Sequence, residues 1–211
     1  MLFYEPGARD KAILPLDPFK ALIAPRPIGW VSTINAAGAV NLAPYSFFNA
    51  FSERPPIIGF SSAGLKDSAS FAQETGEFVW NMPTFGLRDA MNHTAAPLPP
   101  GRSEFDFAGL EMAPSVLVKP PRVKASPAAL ECVVIEVKRL TDRHGEPVNN
   151  WLVLGEVVGV HIDEAFIKDG VVDMAAMQPI ARCGYEDYVV ADRVFSMKRP
   201  PRLRPDGTLE G

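Results

Sequence analysis

The stretch Ala129-Leu130-Glu131-Cys132-Val133-Val134-Ile135-Glu136-Val137-Lys138-Arg139-Leu140 is followed, past Asp142 to Pro147, by Trp151-Leu152-Val153-Leu154-Gly155-Glu156-Val157-Val158-Gly159-Val160-His161-Ile162. Both runs are β-rich, and the segment between them has the composition of a turn, so they read as paired antiparallel strands. Each run holds about twelve residues, twice a typical strand of roughly 5–6. Long antiparallel strands suit a barrel, whose closure demands tilt and curvature. Gly155 and Gly159 offer places to bend.

Composition points the same way. Of 211 residues 21 are proline, about twice the ordinary share of roughly 5%. Each proline inside a helix costs about 3 kcal/mol, which excludes a helical bundle, a coiled coil or a helical solenoid. The hydrophobic share of 47% is that of a globular domain. The net charge of −4, with both signs mixed, argues against a nucleic-acid surface. The uncharged stretch Pro27 to Ser52 holds two prolines and three asparagines, so no membrane span is expected. The first residues carry Glu5, Arg9 and Asp10 and no apolar leader core, and Cys132 and Cys183 form no disulfide framework; a cytoplasmic location is expected. His93, His144 and His161 show no metal-ligand spacing, and no metal is expected. No dinucleotide fingerprint, Walker loop or nucleophile elbow occurs.

Towards the N-terminus, Ile28 to Ile34 reads as a strand, Asn35 to Gly38 as a turn and Val40 to Ala43 as the return. Pro55-Pro56 opens a strand over Ile57 to Ser61. A short helix over Ser68 to Glu74 has Asp67 or Ser68 as N-cap and Gly76 at its end. Glu77 to Asn81 is another strand, and Phe85 to His93 suits a second helix. Residues 94–109 read as a Pro/Gly-rich loop, long enough to have a function or to cover a partner. The division expected is one domain over residues 1–197 and a Pro/Arg-rich tail over 198–211.

Two segments carry chemistry. Ser61-Ser62-Ala63-Gly64-Leu65-Lys66-Asp67-Ser68 leaves a strand and enters a helix, where free N–H groups and the helix dipole favour an anion. With three hydroxyls and one cation, it reads either as a phosphate cradle or as an ordinary capped helix with a solvated lysine. Asn41-Leu42-Ala43-Pro44-Tyr45-Ser46-Phe47-Phe48-Asn49 combines flat aromatic surface with a proline that interrupts or edges the ladder. That combination suits a heteroaromatic ligand, which needs a flat wall and a few fixed polar groups. Equally, the aromatics can be core. Phe47 and Phe48 point to opposite faces of a strand, so both cannot line one pocket.

Taken in order with Pro25-Arg26-Pro27-Ile28-Gly29-Trp30-Val31-Ser32-Thr33, Glu77-Phe78-Val79-Trp80-Asn81, Leu154 to Ile162 and Pro179-Ile180-Ala181-Arg182-Cys183-Gly184-Tyr185, these segments resemble the flavin reductase-like, FMN-binding split-barrel family. The branch is that of flavoredoxin and the reductase components of two-component monooxygenases. The resemblance implies a mainly β fold: a six-stranded antiparallel Greek-key split barrel with a few peripheral α-helices, forming a homodimer. It implies FMN, with the isoalloxazine against Tyr45, Ser46, Phe47, Phe48 and Asn49, the segment that Asn41 begins. The phosphate falls on Ser61, Ser62, Lys66, Asp67 and Ser68, and Trp30, Ser32 and Thr33 lie on the cofactor wall. The implied activity is an NAD(P)H:flavin oxidoreductase, passing hydride from the nicotinamide to FMN and on to free flavin, another acceptor or a partner monooxygenase. The alternatives are a non-catalytic FMN electron carrier and an FMN-dependent oxidase of a small molecule. His161 and Arg182 are the catalytic candidates. His161 can neighbour flavin or nicotinamide, or simply end a strand; Arg182 can hold an anionic group of the second substrate, or form a surface salt bridge.

Overall fold

A computed structural model describes residues 1–99, 101–201 and 204. The two long runs are the long hairpin of the fold, Ala128–Thr141 paired antiparallel with Pro147–Ile162. Asp142 Oδ1 fixes their turn by accepting from the amides of His144 and Glu146 at 2.8 and 2.9 Å. Three register shifts along the pair, one at Leu154/Gly155 and one at Val157/Gly159, bend it.

This hairpin sits inside one antiparallel sheet of seven strands. In chain order they are β1 Gly29–Ile34, β2 Val40–Tyr45, β3 Phe48–Glu53, β4 Pro56–Ala63, β5 Glu77–Asn81, β6 Ala128–Thr141 and β7 Pro147–Ile162. Across the sheet they run β2-β1-β5-β6-β7-β4-β3. The expected six-stranded Greek-key barrel is therefore corrected to a seven-stranded sheet. The unforeseen strand is β3, which pairs with β4 from Phe48↔Phe60 to Glu53↔Pro56. Its sequence, Phe-Asn-Ala-Phe-Ser-Glu, sets two strand-favouring phenylalanines among Asn, Ala, Ser and Glu and has no β-branched residue, so propensity is mixed and does not announce a strand. Pro44 lies within β2, opposite Trp30, and β2 is an edge strand, where a missing N–H leaves no central ladder bond unmade.

The sheet curls until its ends meet. Phe48 of edge strand β3 stacks on Trp80 of β5, with centroids 5.9 Å apart and planes 4° from parallel. A Cβ on Gly29 of β1 would lie 2.7 Å from the Phe48 ring, so only glycine permits this approach. Val31, Ile58, Phe60, Phe78, Cys132 and Val153 fill the interior. Helix α1, Asp67–Thr75, packs against β1, β2, β5, β6 and β7 and closes one end with Ser68, Ala69 and Ala72 buried. On the other face of β1, Trp30, Leu42, Met91, Phe105 and Val123 form a second core beneath α2, Arg88–His93, and α3, Glu104–Phe107. Both short helices belong to segments read as a longer helix and as a loop. A small sheet joins Arg26–Pro27 to β8, Ile180–Arg182, and β9, Tyr188–Val190. Among the described residues, no helix is long and apolar enough to cross a membrane. Pro100 and most of the expected tail, 202, 203 and 205–211, lie outside the described residues.

The fully buried Glu131 carboxylate pins the 114–119 loop to β6. It accepts from the amides of Val116, Leu117 and Val118 at 2.7, 2.6 and 3.1 Å and meets His161 Nε2 at 2.5 Å. Burial pushes its pKa up, but the bonds from His161 and the three amides outweigh that and hold it below the usual glutamate value. A depressed carboxylate pKa stabilises the fold above its unfolded pKa and loses that contribution as pH falls through the folded value. Glu131→Gln should therefore lower Tm at neutral pH, by an amount equivalent to about 1–3 kcal/mol. The gap to the parent should narrow below about pH 4; a pH series of thermal melts checks this, and a constant gap would refute the ionic role.

Candidate functional site

β4 leaves the sheet at Ala63, and the chain turns through Gly64 at φ 89°, where Gly64 N–H bonds the Asn149 carbonyl at 2.9 Å. α1 then begins with Lys66 at its N-cap. Lysine has no acceptor, and no side chain caps the first turn. The leading N–H groups have no intrahelical acceptor and carry the positive end of the helix dipole. They sit beside a cavity of about 450 Å³ lined by Asn41, Pro44, Tyr45, Lys66, Asp67 and Ser68 on one side. Thr94 to Leu98 and Glu104 line the other.

The cavity wall is a polar cluster. Asn41 Nδ2 donates to Ser68 Oγ at 2.6 Å. The Tyr45 ring packs on Phe60 with centroids 4.6 Å apart, and its hydroxyl faces Ser68 and Ser62. Burial raises the Tyr45 pKa; the two serine hydroxyls oppose that, and the Asp67 and Glu104 carboxylates add to it. The Leu42 amide donates to Glu104 Oε2 at 3.1 Å. Burial also raises the Glu104 pKa, against its own amide and that of Leu42, with Asp67 adding to the rise. Ser62 Oγ and Thr33 Oγ1 are buried without hydrogen-bond partners.

Pro44 and Ala95 are shared with a second cavity of about 200 Å³, lined also by Arg26, Ser46, Arg182 and Tyr188. A groove thus runs from the α1 first turn along the edge strand to the C-terminal small sheet. Arg26 is buried and ties this end together, donating to the carbonyls of Lys20, Ile23 and Cys183.

Residues 22–175 match a family model described as a flavin reductase like domain. The chain belongs to the flavin reductase-like family. A protein of Halalkalibacterium halodurans is 37% identical over 183 residues, covering 84% of this chain and 87% of its own. Nitrilotriacetate monooxygenase component B from Bacillus cereus superposes with a TM-score of 0.83 at 31% identity, over 93% of this chain and 98% of its own. A protein with a split barrel domain from Shewanella frigidimarina superposes with a TM-score of 0.79 at 21% identity, over 90% of this chain and 98% of its own, and shows the same fold.

In this flavin reductase-like chain the residues singled out from sequence divide into groups. Asn41, Tyr45, Lys66, Asp67 and Ser68 meet at the first cavity, and Ser46 and Arg182 at the second. Trp30, Ser32 and Thr33 are fully buried. Trp30 Nε1 bonds Thr94 Oγ1 at 2.9 Å and Ser32 Oγ bonds the Pro121 carbonyl at 2.5 Å, so their polar atoms serve the fold. Phe48 packs in the barrel seam; Phe47 and Asn49 are exposed. Ser61 Oγ accepts from Asn150 Nδ2 at 3.4 Å. His161 is held by Glu131, away from the groove. The sequence reading missed Glu104 and the Thr94–Leu98 wall, which come from the segment read as loop; Ser103 as an N-cap type before Glu104-Phe105 was the available signal.

Spectrophotometric titration should show one tyrosine ionising later than the rest, as burial of Tyr45 requires. Tyr45→Phe should remove that late step; its persistence would place the buried phenol elsewhere.

Proposed function

We propose that this groove binds FMN and that the protein is an NAD(P)H-dependent flavin oxidoreductase, with the phosphate against the first turn of α1 and the ring toward Pro44 and Ser46. The supporting observation is the uncapped helix N-terminus, with Lys66 and Ser68, opening on a cavity that continues along an edge strand. The donor set fits a phosphate: backbone N–H groups at a helix start, a lysine, and the Ser68 hydroxyl.

A bound flavin would supply the redox chemistry, taking hydride from the nicotinamide and passing electrons to free flavin, another acceptor or an oxygenase component. The chain's residues bind and orient. Lys66 neutralises phosphate charge. Pro44 withholds an N–H from the edge, and the backbone after it offers polar groups to a ring edge. The Tyr45 hydroxyl, beside Ser68, lies near the cradle. Asp67 and Glu104 also line the cavity, so the backbone donors and Lys66 must offset their charge. The likeness to a monooxygenase component B supports an oxygenase as eventual acceptor. The homodimer is part of this reading, and Phe51, Ile135 and Val160 are exposed apolar side chains that such a contact would cover.

Lys66→Ala should weaken FMN binding about tenfold, or about 1.4 kcal/mol, while riboflavin binding, without a phosphate, stays unchanged. Equal losses for both would remove the phosphate role. Anaerobic addition of NADH or NADPH should bleach the flavin of the loaded protein; no bleaching by either would overturn the reductase reading.

A further inference from the structure

Beyond the groove lies a further cavity of about 580 Å³, between α2 and the β8–β9 hairpin. It shares Met91, Arg182 and Tyr188 with the second cavity, so it continues from the end where the flavin ring is placed. Its volume suits a small organic molecule, since ligand sites span about 300–1,000 Å³. The floor is apolar: Met91 is 2% and Ile180 5% exposed.

Arg88 and Arg182 line this space, and the guanidinium of each lies over a ring. Arg182 and Tyr188 stand directly opposite each other on β8 and β9. That register lays the Arg182 guanidinium over the Tyr188 ring at 4.5 Å. Tyr185, at the hairpin bend with φ 54°, turns its carbonyl to accept from Arg182 Nη2. Arg88 lies over Phe85 at 4.2 Å and donates from Nη1 to the Phe85 carbonyl at 2.7 Å. Arginine carries five N–H donors in a planar fork, so most of these donors remain available. Asp89 and Glu186 also line the cavity. The lining therefore balances two arginines against two carboxylates, which disfavours the multiple charge of a pyrophosphate and admits a single anionic group.

We propose that this cavity binds a planar aromatic carboxylate. The carboxylate takes the Arg182 fork in a bidentate pair, and the ring lies along Tyr188 over Met91 and Ile180. A bidentate pair needs a positioned planar fork, and the Tyr188 ring beneath the guanidinium together with the Tyr185 carbonyl holds Arg182 in place before the ligand arrives. The ring then has apolar surface on the side away from water. Its role as second-substrate site rests on the flavin reading above; binding itself does not.

The test uses benzoate as probe and benzamide as the neutral isostere, followed by ligand-observed saturation-transfer NMR on the full chain, with and without added FMN. Benzoate should bind at least tenfold more tightly than benzamide. Arg182→Gln should abolish that preference and leave benzamide binding unchanged. Arg182→Lys, which keeps the charge but loses the fork and the stack, should retain only part of it, and thermal melts of both variants confirm folding. Tyr188→Ala should weaken both ligands. Equal binding of the two ligands to the parent, or an unchanged preference in folded Arg182→Gln, overturns the proposal. Benzoate binding without FMN binding would leave this site standing and remove the flavin reading. FMN binding without benzoate binding would do the reverse.

Discussion

The entry of α1 into the open end of the curled sheet is the contact on which the site depends. Ser68, Ala69 and Ala72 go inside, and small side chains are what the closed end admits. With that face buried, the first turn has only one place to be, beside β2 and Tyr45. Its uncapped N–H groups then open on the cavity instead of on bulk water. The curl that makes room for the helix depends in turn on Gly29, because a Cβ there would collide with Phe48 at the seam.

The rest of the groove is assembled by residues far apart in sequence. Arg26 reaches carbonyls on the N-terminal segment and Cys183 on the C-terminal hairpin. Trp30 holds Thr94, which begins the opposite cavity wall. Glu104 arrives by bonding the Leu42 amide on the edge strand, whose outer backbone would otherwise face solvent. Buried polar groups are costly unless paired, so these long-range bonds fix the walls in one arrangement.

The long hairpin was legible because its hydrophobic content and length leave few other folds. The edge position of β2 was legible at Pro44, since proline cannot serve a central ladder. β3 was hidden, because Phe-Asn-Ala-Phe-Ser-Glu has no β-branched residue and becomes a strand only when β4 pairs with it. At the site, the Lys66-Asp67-Ser68 segment could be read directly, since strand-to-helix turns present backbone donors by construction. Trp30, Ser32 and Thr33 could not be placed that way: strand alternation does not say which face meets solvent when both faces are covered. His161 was a candidate from the segment that carries the resemblance, and its partner Glu131 lies on the neighbouring strand, visible only once the register is set.

The sequence by itself determined the β class, the long hairpin, the family resemblance and the strand-to-helix turn that begins α1. Each of these rests on local chemistry: propensity, turn composition and the donors that a helix start exposes. Tertiary structure alone decided the seventh strand, the Glu104 wall, the Glu131–His161 pair and the cavity built on Arg182 and Tyr188. Those features arise from register and from contacts between residues distant in the chain, and loop closure and packing, not local preference, bring such residues together.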